Sequence, residues 1–306
     1  MNRRFERVLV TGGSGRLGRF VVDELRTRCA VTVLDREPPR QSVPYVEADI
    51  LDADAVREAL AGQQALIHLA AIDDGDGDSE TAYVRTNVQG TWNVLQAAES
   101  AGLSMAVLAC TCGAFGIDRE HPADHLPIDE AHPLRPTGAY GLSKQLIEQM
   151  AEYVARHGRL RVLCLRPTLI VRPEKEAAIL AQLELADPDA APPPDFVATG
   201  GIKPYGALST LRTYVRSADA ARCFRLALDY DGPALDTFIV AARDTIGREA
   251  TLERLAKIWG HVPELRDRAH YDGDAYASPL DARKAERLLG WRADGDWRDV
   301  AAAHRR

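Results

Sequence analysis

Short apolar segments alternate with amphipathic ones through the first half of the chain, and this alternation narrows the fold more than any other feature. Six strand-like runs occupy residues 7–11, 30–34, 44–48, 65–69, 105–110 and 161–165. Most are aliphatic or β-branched and nearly unbroken, the pattern of strands covered on both faces. Helical repeats lie between them. Leu17, Val21 and Leu25 recur at four-residue spacing, as do Val84 and Val88, whose stripe Leu95 and Ala98 continue. Ile147, Met150, Ala151 and Val154 mark another helix. Asp52 is placed to cap the helix that carries Val56 and Leu60. Strand–helix alternation demands crossovers between parallel strands, so the expected class is α/β with a doubly wound parallel sheet.

After Pro173 the rhythm breaks. The stretch 187–195, Asp-Pro-Asp-Ala-Ala-Pro-Pro-Pro-Asp, cannot continue a helix or a central strand, because proline lacks the donor and fixes φ. It reads as an exposed loop at the rim of a second, smaller α/β region. A helix is expected at 217–229, a strand at 237–241, a helix at 249–259 and a last helix at 281–289, stopped by Gly290-Trp291. With 306 residues, 46% hydrophobic, the chain has ample core. Its formal charge of −7 argues against a nucleic-acid binder, which needs a basic surface. No apolar run approaches the ~20 residues that cross a bilayer, and five scattered cysteines do not make a secreted disulfide framework. The expectation is a cytoplasmic enzyme or small-molecule binder with no membrane or nucleic-acid partner.

Directly after the first strand comes Thr11-Gly12-Gly13-Ser14-Gly15-Arg16-Leu17-Gly18, opening the first helix. Glycines there permit a tight turn, close backbone approach to a pyrophosphate and close helix–strand packing. The free N–H groups and the positive end of the helix dipole then face the anion. Asp35 ends the second strand, where a carboxylate accepts both hydroxyls of an adenosine ribose. That carboxylate repels a 2′-phosphate, so NAD is favoured over NADP, although Arg36 next door is able to accept such a phosphate. Asp49-Ile50, after the third strand, either meets the adenine or merely caps a turn. This is a Rossmann-like nucleotide-binding signature. Residues 1–172 form the expected dinucleotide-binding domain, with 210–245 returning to it, and 173–306 mainly the substrate-binding region.

Tyr140 and Lys144 stand four apart at the start of a helix and project from one face. A phenol titrating near ~10 is a poor base at neutral pH. A neighbouring ammonium and a positive nicotinamide ring stabilise the phenolate, so the pair can exchange a proton with an alcohol or carbonyl oxygen. Thr111, just past the fifth strand, offers a hydroxyl to orient the same oxygen.

In chain order, the glycine turn, His68-Leu69-Ala70-Ala71, the run 87–95 (Asn-Val-Gln-Gly-Thr-Trp-Asn-Val-Leu), Thr111 and Tyr140-x-x-x-Lys144 resemble the extended short-chain dehydrogenase/reductases, the NAD-dependent epimerase/dehydratase group. Arg166-Pro167, the Arg212-Thr-Tyr-Val segment leading to Asp219, and Leu289-Gly-Trp291 resemble it too. The resemblance covers essentially the whole chain, most weakly from 173 to 209. It implies that Gly12, Gly15 and Gly18, with Arg16 and Leu17 between them, hold the pyrophosphate and Asp35 the ribose. Leu69, Ala70 and Ala71 line the cofactor groove, Asn87 supports it, and Pro167 lies near the nicotinamide. Thr111, Tyr140 and Lys144 would be catalytic, Lys144 also holding the nicotinamide ribose, while Thr111, Cys112 and Arg212 would meet substrate. A homodimer through the helices near 86–101 and 138–157 is implied as well.

Two departures bear on the substrate. Sugar-nucleotide epimerases of this group usually follow Arg-Pro with an asparagine that contacts a sugar diphosphate; here Leu169 fills that position and Arg172 a glycine position. Phe115 stands where many relatives have tyrosine. Arg212 pulls the other way, matching an arginine that meets the diphosphate, yet a guanidinium clamps a sugar carboxylate equally well. The expected activity is NAD-dependent oxidation of a hydroxyl-bearing carbon of a sugar, sugar acid or related polyol. The alternatives are a nucleotide-sugar epimerase or dehydratase that recycles its NAD, and a non-catalytic dinucleotide sensor.

Three other features invite decoy readings. The acidic run 73–80 fails the calcium-loop template, because Ser79 and Arg85 occupy its required glycine and glutamate positions. It reads instead as an acidic loop near the pocket mouth. Cys110 and Cys112 are expected on one strand face, opposite Thr111, as packing thiols. His121, His125 and His132 are expected in a solvated loop, and no metal site is expected.

Overall fold

The computed structural model describes residues 4–185, 210–247 and 249–304, so the proline-rich stretch 187–195 lies outside the described residues. In chain order its strands are β1 (Arg7–Thr11), β2 (Ala30–Asp35), β3 (Tyr45–Glu47), β4 (Ala65–His68), β5 (Met105–Ala109), β6 (His125–Leu126), β7 (Arg161–Pro167), β8 (Leu169–Val171), β9 (Tyr214–Arg216), β10 (Leu235–Val240) and β11 (Glu264–Leu265). The first helices are α1 (Gly18–Leu25), α2 (Ala53–Leu60), α3 (Glu80–Tyr83), α4 (Gly90–Ser100), α5 (Ala139–His157) and α6 (Pro173–Leu185). Helices Ser217–Ala227, Thr251–Trp259, Ala269–Asp272, Arg283–Leu289 and Trp297–His304 complete the described chain. The last of these follows the helix expected to end the chain; Gly290, in a left-handed conformation, terminates one helix without preventing another.

Seven parallel strands form one sheet in the order β10-β7-β5-β4-β1-β2-β3. The winding direction reverses between β1 and β4, which opens a crevice beyond their carboxyl ends, the standard place for a ligand in such a sheet. Small parallel pairs, β6 with β11 and β8 with β9, stand outside it. Both faces of the sheet are covered, as the unbroken apolar strands required. On one face Leu9, Leu34 and Leu66 pack with Val56 and Leu60 of α2, Leu95 of α4 and Ile147 of α5. On the other, Val8, Val10 and Val33 pack with Val21 and Leu25 of α1 and with Ala220 and Phe224 of helix Ser217–Ala227. Asp52 caps α2 as expected, accepting from the N–H groups of Asp54 and Ala55 at 3.1 Å each.

The helix behind β4 departs from the expected stripe. Val84–Gln89 is a π-helical turn fused to α4. Its wider winding adds about one residue and rotates what precedes it, so Val84 is exposed while Tyr83 and Asn87 are buried. The histidine expectation is also corrected. His121 is exposed, but His125 and His132 are buried, because β6 is clamped beneath β11. His132 Nε2 accepts the Asp124 N–H at 3.0 Å, and Nδ1 donates to the Pro133 carbonyl at 3.0 Å.

His68, the last residue of β4, is fully enclosed between β1 and α4. Its Nδ1 lies 2.6 Å from Thr11 Oγ1 and its Nε2 2.9 Å from Thr91 Oγ1. Burial pushes its titration down to about 3 from the usual 6.5, with Lys144 adding to the shift. The unfolded chain therefore takes up a proton that the folded chain refuses. Stability from this group is complete above pH 6.5 and falls as pH drops through the window to about 3, at about 1.4 kcal/mol per pH unit. Urea unfolding across that range should show a shallower acid loss for His68→Gln than for wild type; equal slopes would assign the acid sensitivity elsewhere.

Candidate active site

The phosphate turn is built as its glycines require. Gly12 has φ of +70°, and a Cβ there would lie 2.5 Å from the backbone nitrogen of Ala70. A Cβ on Gly15 would meet the Gly12 carbonyl oxygen at 3.1 Å, closer than an ordinary contact. At the next corner Gly18 rests directly on the backbone of Gly12 and Gly13. The turn is locked to the end of β2, where Asp35 accepts the Ser14 N–H at 2.9 Å through Oδ2 and the Arg36 N–H at 2.7 Å through Oδ1. A close-packed glycine turn and a helix N-terminus beside a carboxylate fit a dinucleotide lying across the crevice. Leu69, Ala70 and Ala71 form the opposite wall, with the Leu69 N–H donating to the Thr11 carbonyl at 3.0 Å.

Asp49 and Ile50 divide. Asp49 Oδ1 accepts the Leu51 N–H at 2.9 Å, the turn-capping alternative, while Ile50 is buried against Gly90 of α4. Arg36 is exposed at the end of β2, and Arg16 reaches out of the turn to Asp73 at 3.1 Å and to Asp76.

Tyr140 lies in the first turn of α5, which brings it to the carboxyl end of β5. The Thr111 side chain beside its hydroxyl favours the phenolate. Burial outweighs this and, with the charges of Asp73 and Asp74, holds the phenol well above its usual range. Lys144 is buried below the tyrosine ring, Nζ 5.7 Å from the ring centre, and donates to the Ala109 carbonyl at 2.8 Å. Burial lowers its titration. Thr111 also accepts the Gly113 N–H at 3.0 Å, which ties it to the short 3₁₀ turn Cys112–Phe115.

That turn corrects the cysteine expectation. β5 ends at Ala109, so the alternation of faces stops there, and Cys110 and Cys112 enter opposite core layers. Cys112 Sγ donates to the Arg166 carbonyl at 3.1 Å and is buried, so it is turned into the core rather than toward a substrate. Burial raises both thiols. Asn87 is buried and ties two segments together: Oδ1 accepts the Ile72 N–H at 2.8 Å, and Nδ2 donates to the Ile72 carbonyl at 3.1 Å and to Ser143 Oγ at 3.0 Å. Ser143 in turn donates to the Tyr140 carbonyl at 2.7 Å. Ser143 escaped the sequence reading, although its place beside Lys144 was the available signal.

Two further residues hold the site. Arg166 makes a two-pronged bond to Glu148 of α5, Nε to Oε1 at 2.8 Å and Nη2 to Oε2 at 2.6 Å, with both side chains buried. This fastens α5 to β7 one turn beyond Lys144. Pro167 ends β7 nearby. Arg212 precedes β9 with a left-handed φ of +51°. Its carbonyl accepts the Ile246 N–H at 2.9 Å, and its neighbour Thr213 bonds Thr168, just past β7, at 2.6 Å. Among the described residues no group of three His, Cys, Asp or Glu side chains converges as a metal site.

The steric argument at Gly12 makes a direct test. Gly12→Ala forces a Cβ against backbone in a disfavoured conformation, at about 1–3 kcal/mol. NADH binding followed by fluorescence should weaken at least tenfold; unchanged affinity would place the dinucleotide elsewhere.

The NAD dependent epimerase/dehydratase family model matches residues 8–241. The chain is 35% identical over 169 residues to the L-arabinose 1-dehydrogenase (NAD(P)(+)) of Haloferax volcanii, which covers 52% of this chain and 65% of that protein, less than two thirds. It is 28% identical over 313 residues to a UDP-glucose 4-epimerase of Rhizobium leguminosarum bv. trifolii, covering 94% of this chain and 92% of that one. Its fold is that of a short-chain dehydrogenase/reductase superfamily protein from Agrobacterium tumefaciens with bound NAD, with a TM-score of 0.70, 24% identity and coverage of 98% and 97%. The glycine turn, the Thr111–Tyr140–Lys144 set and the family match agree, and the chain belongs to the NAD dependent epimerase/dehydratase family.

Proposed function

We propose that this chain oxidises a hydroxyl-bearing carbon of a sugar, sugar acid or related polyol, with Tyr140 as the acid/base. The observation that carries this reading is the placing of a buried Lys144, Nζ 5.7 Å from the Tyr140 ring centre and held by the Ala109 carbonyl, beside Tyr140 and Thr111 at the carboxyl edge of the sheet. Bound NAD supplies the hydride acceptor. Thr111 Oγ1 orients the substrate hydroxyl, and Tyr140 Oη takes its proton as the carbon becomes a carbonyl. By itself burial favours the neutral phenol; Lys144 and the positive charge that oxidised nicotinamide would bring favour loss of that proton to solvent, so the phenolate is the form that takes the substrate's proton. Asp35, the carboxylate at the end of β2, favours NAD over NADP.

Similarity over most of both chains to a UDP-glucose 4-epimerase supports a second reading, in which hydride is returned within one cycle. Leu169 and Phe115 weigh against it. Phe115 is buried beneath the Arg166 guanidinium, 5.2 Å from its ring centre, and Leu169 packs on the core, so neither offers a bond to a sugar diphosphate. Arg212 is retained in either reading as the anion-facing residue of the substrate region, 173–306. Cys110, Cys112, Cys164 and Cys223 are buried and form no disulfide among the described residues, which fits a reducing, cytoplasmic setting.

Four large apolar side chains exposed on the structure, Val84, Trp92, Leu142 and Tyr153, lie on the π turn, α4 and α5. Trp92 and Tyr153 already contact each other across the two helices, with ring centres 5.9 Å apart. These support a homodimer through α4 and α5, and Tyr153→Glu should sediment as a monomer if that is correct.

The activity test has two arms. Protein denatured directly after purification should release little nucleotide, and incubation with NAD should yield NADH on L-arabinose or a uronic acid. Near-stoichiometric NAD in the released fraction, with turnover of UDP-glucose, would favour the epimerase. In the dehydrogenase assay Tyr140→Phe should lower kcat by about 10²–10⁴-fold while binding NADH within threefold of wild type. Unchanged turnover would remove the mechanism.

A further inference from the structure

The loop that leaves β4 is tied down at two points. At one, Arg16 of the phosphate turn bridges Asp73 and Asp76. At the other, Tyr83 of α3 accepts the N–H groups of Gly75 and Gly77 on its hydroxyl, at 2.9 Å and 3.1 Å. Gly77 lies flat on that ring, where a Cβ would come 2.7 Å from Cζ. The edge of Tyr83 in turn meets the ring of Tyr140, centre to centre 6.0 Å, at 66°. Because β1 and β4 are neighbours at the point where the sheet reverses, an ion pair from the turn after β1 to the loop after β4 spans the crevice.

We propose that residues 73–78 form a clasp across the dinucleotide site, with Arg16, Asp73 and Asp76 as its latch and Tyr83 as the positioning residue that holds its far end against the catalytic tyrosine. Arg16 stands between two sets of anions, the loop carboxylates and an incoming diphosphate. The latch must open, or be shared, whenever cofactor enters or leaves. Its strength is small. Arg16 and Asp73 are more than half exposed, at 56% and 57%, and Asp76 is 37% exposed. An exposed pair is worth at most about fivefold in an equilibrium constant, and salt screens it. A clasp of this strength slows release without preventing it, which suits a chain that exchanges its cofactor each turnover. This deepens the dehydrogenase reading and rests on it.

The probe is NADH alone, displaced from the full chain by excess NAD in stopped flow. The double variant Asp73→Asn, Asp76→Asn should raise the release rate about threefold to tenfold, and Asp76→Glu should restore much of the wild-type rate. Raising salt should speed release from wild type but barely change the double variant, a response that merely loosened packing would not give. Tyr83→Phe keeps the ring against Tyr140 but loses both bonds to the loop, so it too should release NADH faster. Equal release rates, or equal salt responses in wild type and double variant, would overturn the clasp while leaving the dehydrogenase reading standing. Slow release by wild type over many turnover times, with fast release by the double variant, would keep the clasp and move the chain toward hydride recycling. Failure of wild type to bind NADH would remove both.

Discussion

The exit of β4 is held by buried hydrogen bonds, and the placing of Leu69–Ile72 and of the Tyr140 backbone both depend on it. His68 spans from Thr11 on β1 to Thr91 on α4, and Asn87 seizes both backbone groups of Ile72 a few residues later. The same Asn87 passes through Ser143 to the backbone of Tyr140. A buried amide whose partners are removed loses more than the bond is worth, so these contacts specify one arrangement of three elements. The π turn rotates the chain ahead of it so that Tyr83 is buried and Val84 exposed.

Around Tyr140 desolvation and charge are set against each other. Burial and the acidic loop resist its ionisation; the Thr111 hydroxyl favours it. Lys144 is desolvated beneath the ring and anchored on the Ala109 carbonyl, which fixes the ammonium without an acidic partner to neutralise it. The Arg166–Glu148 pair keeps α5 from shifting against β7. With both side chains buried, removing either partner leaves an uncompensated charge, at about 3–5 kcal/mol. Tyr140 and Lys144 are thus held firmly at one end of a crevice whose other end is the glycine turn after β1.

Much of this was legible in the residues. Strand–helix alternation led to the parallel sheet, and its continuous apolar strands to burial on both faces. The glycine turn with Asp35 was legible as a strand–turn–helix corner, and Tyr140 with Lys144 as neighbours on one helix face near Thr111. Illegible were contacts formed by residues far apart in sequence. Nothing local says that His125 will join a strand paired with β11 or that His132 will pack against Phe115, and the strand pattern at Cys110 and Cys112 gives no sign that Thr111 will cap a 3₁₀ turn beginning at Cys112.

The amino-acid sequence by itself determined which segments become strands and helices, and the chemistry of the turn and of the tyrosine pair, because periodicity and spacing are local properties. Tertiary structure alone decided that the acidic loop reaches back to Arg16, that Tyr83 joins that loop to Tyr140, and that Arg212 adopts a left-handed backbone beside Thr168. Each of these needs two distant segments brought within a few ångströms, and only packing of the whole sheet fixes that distance.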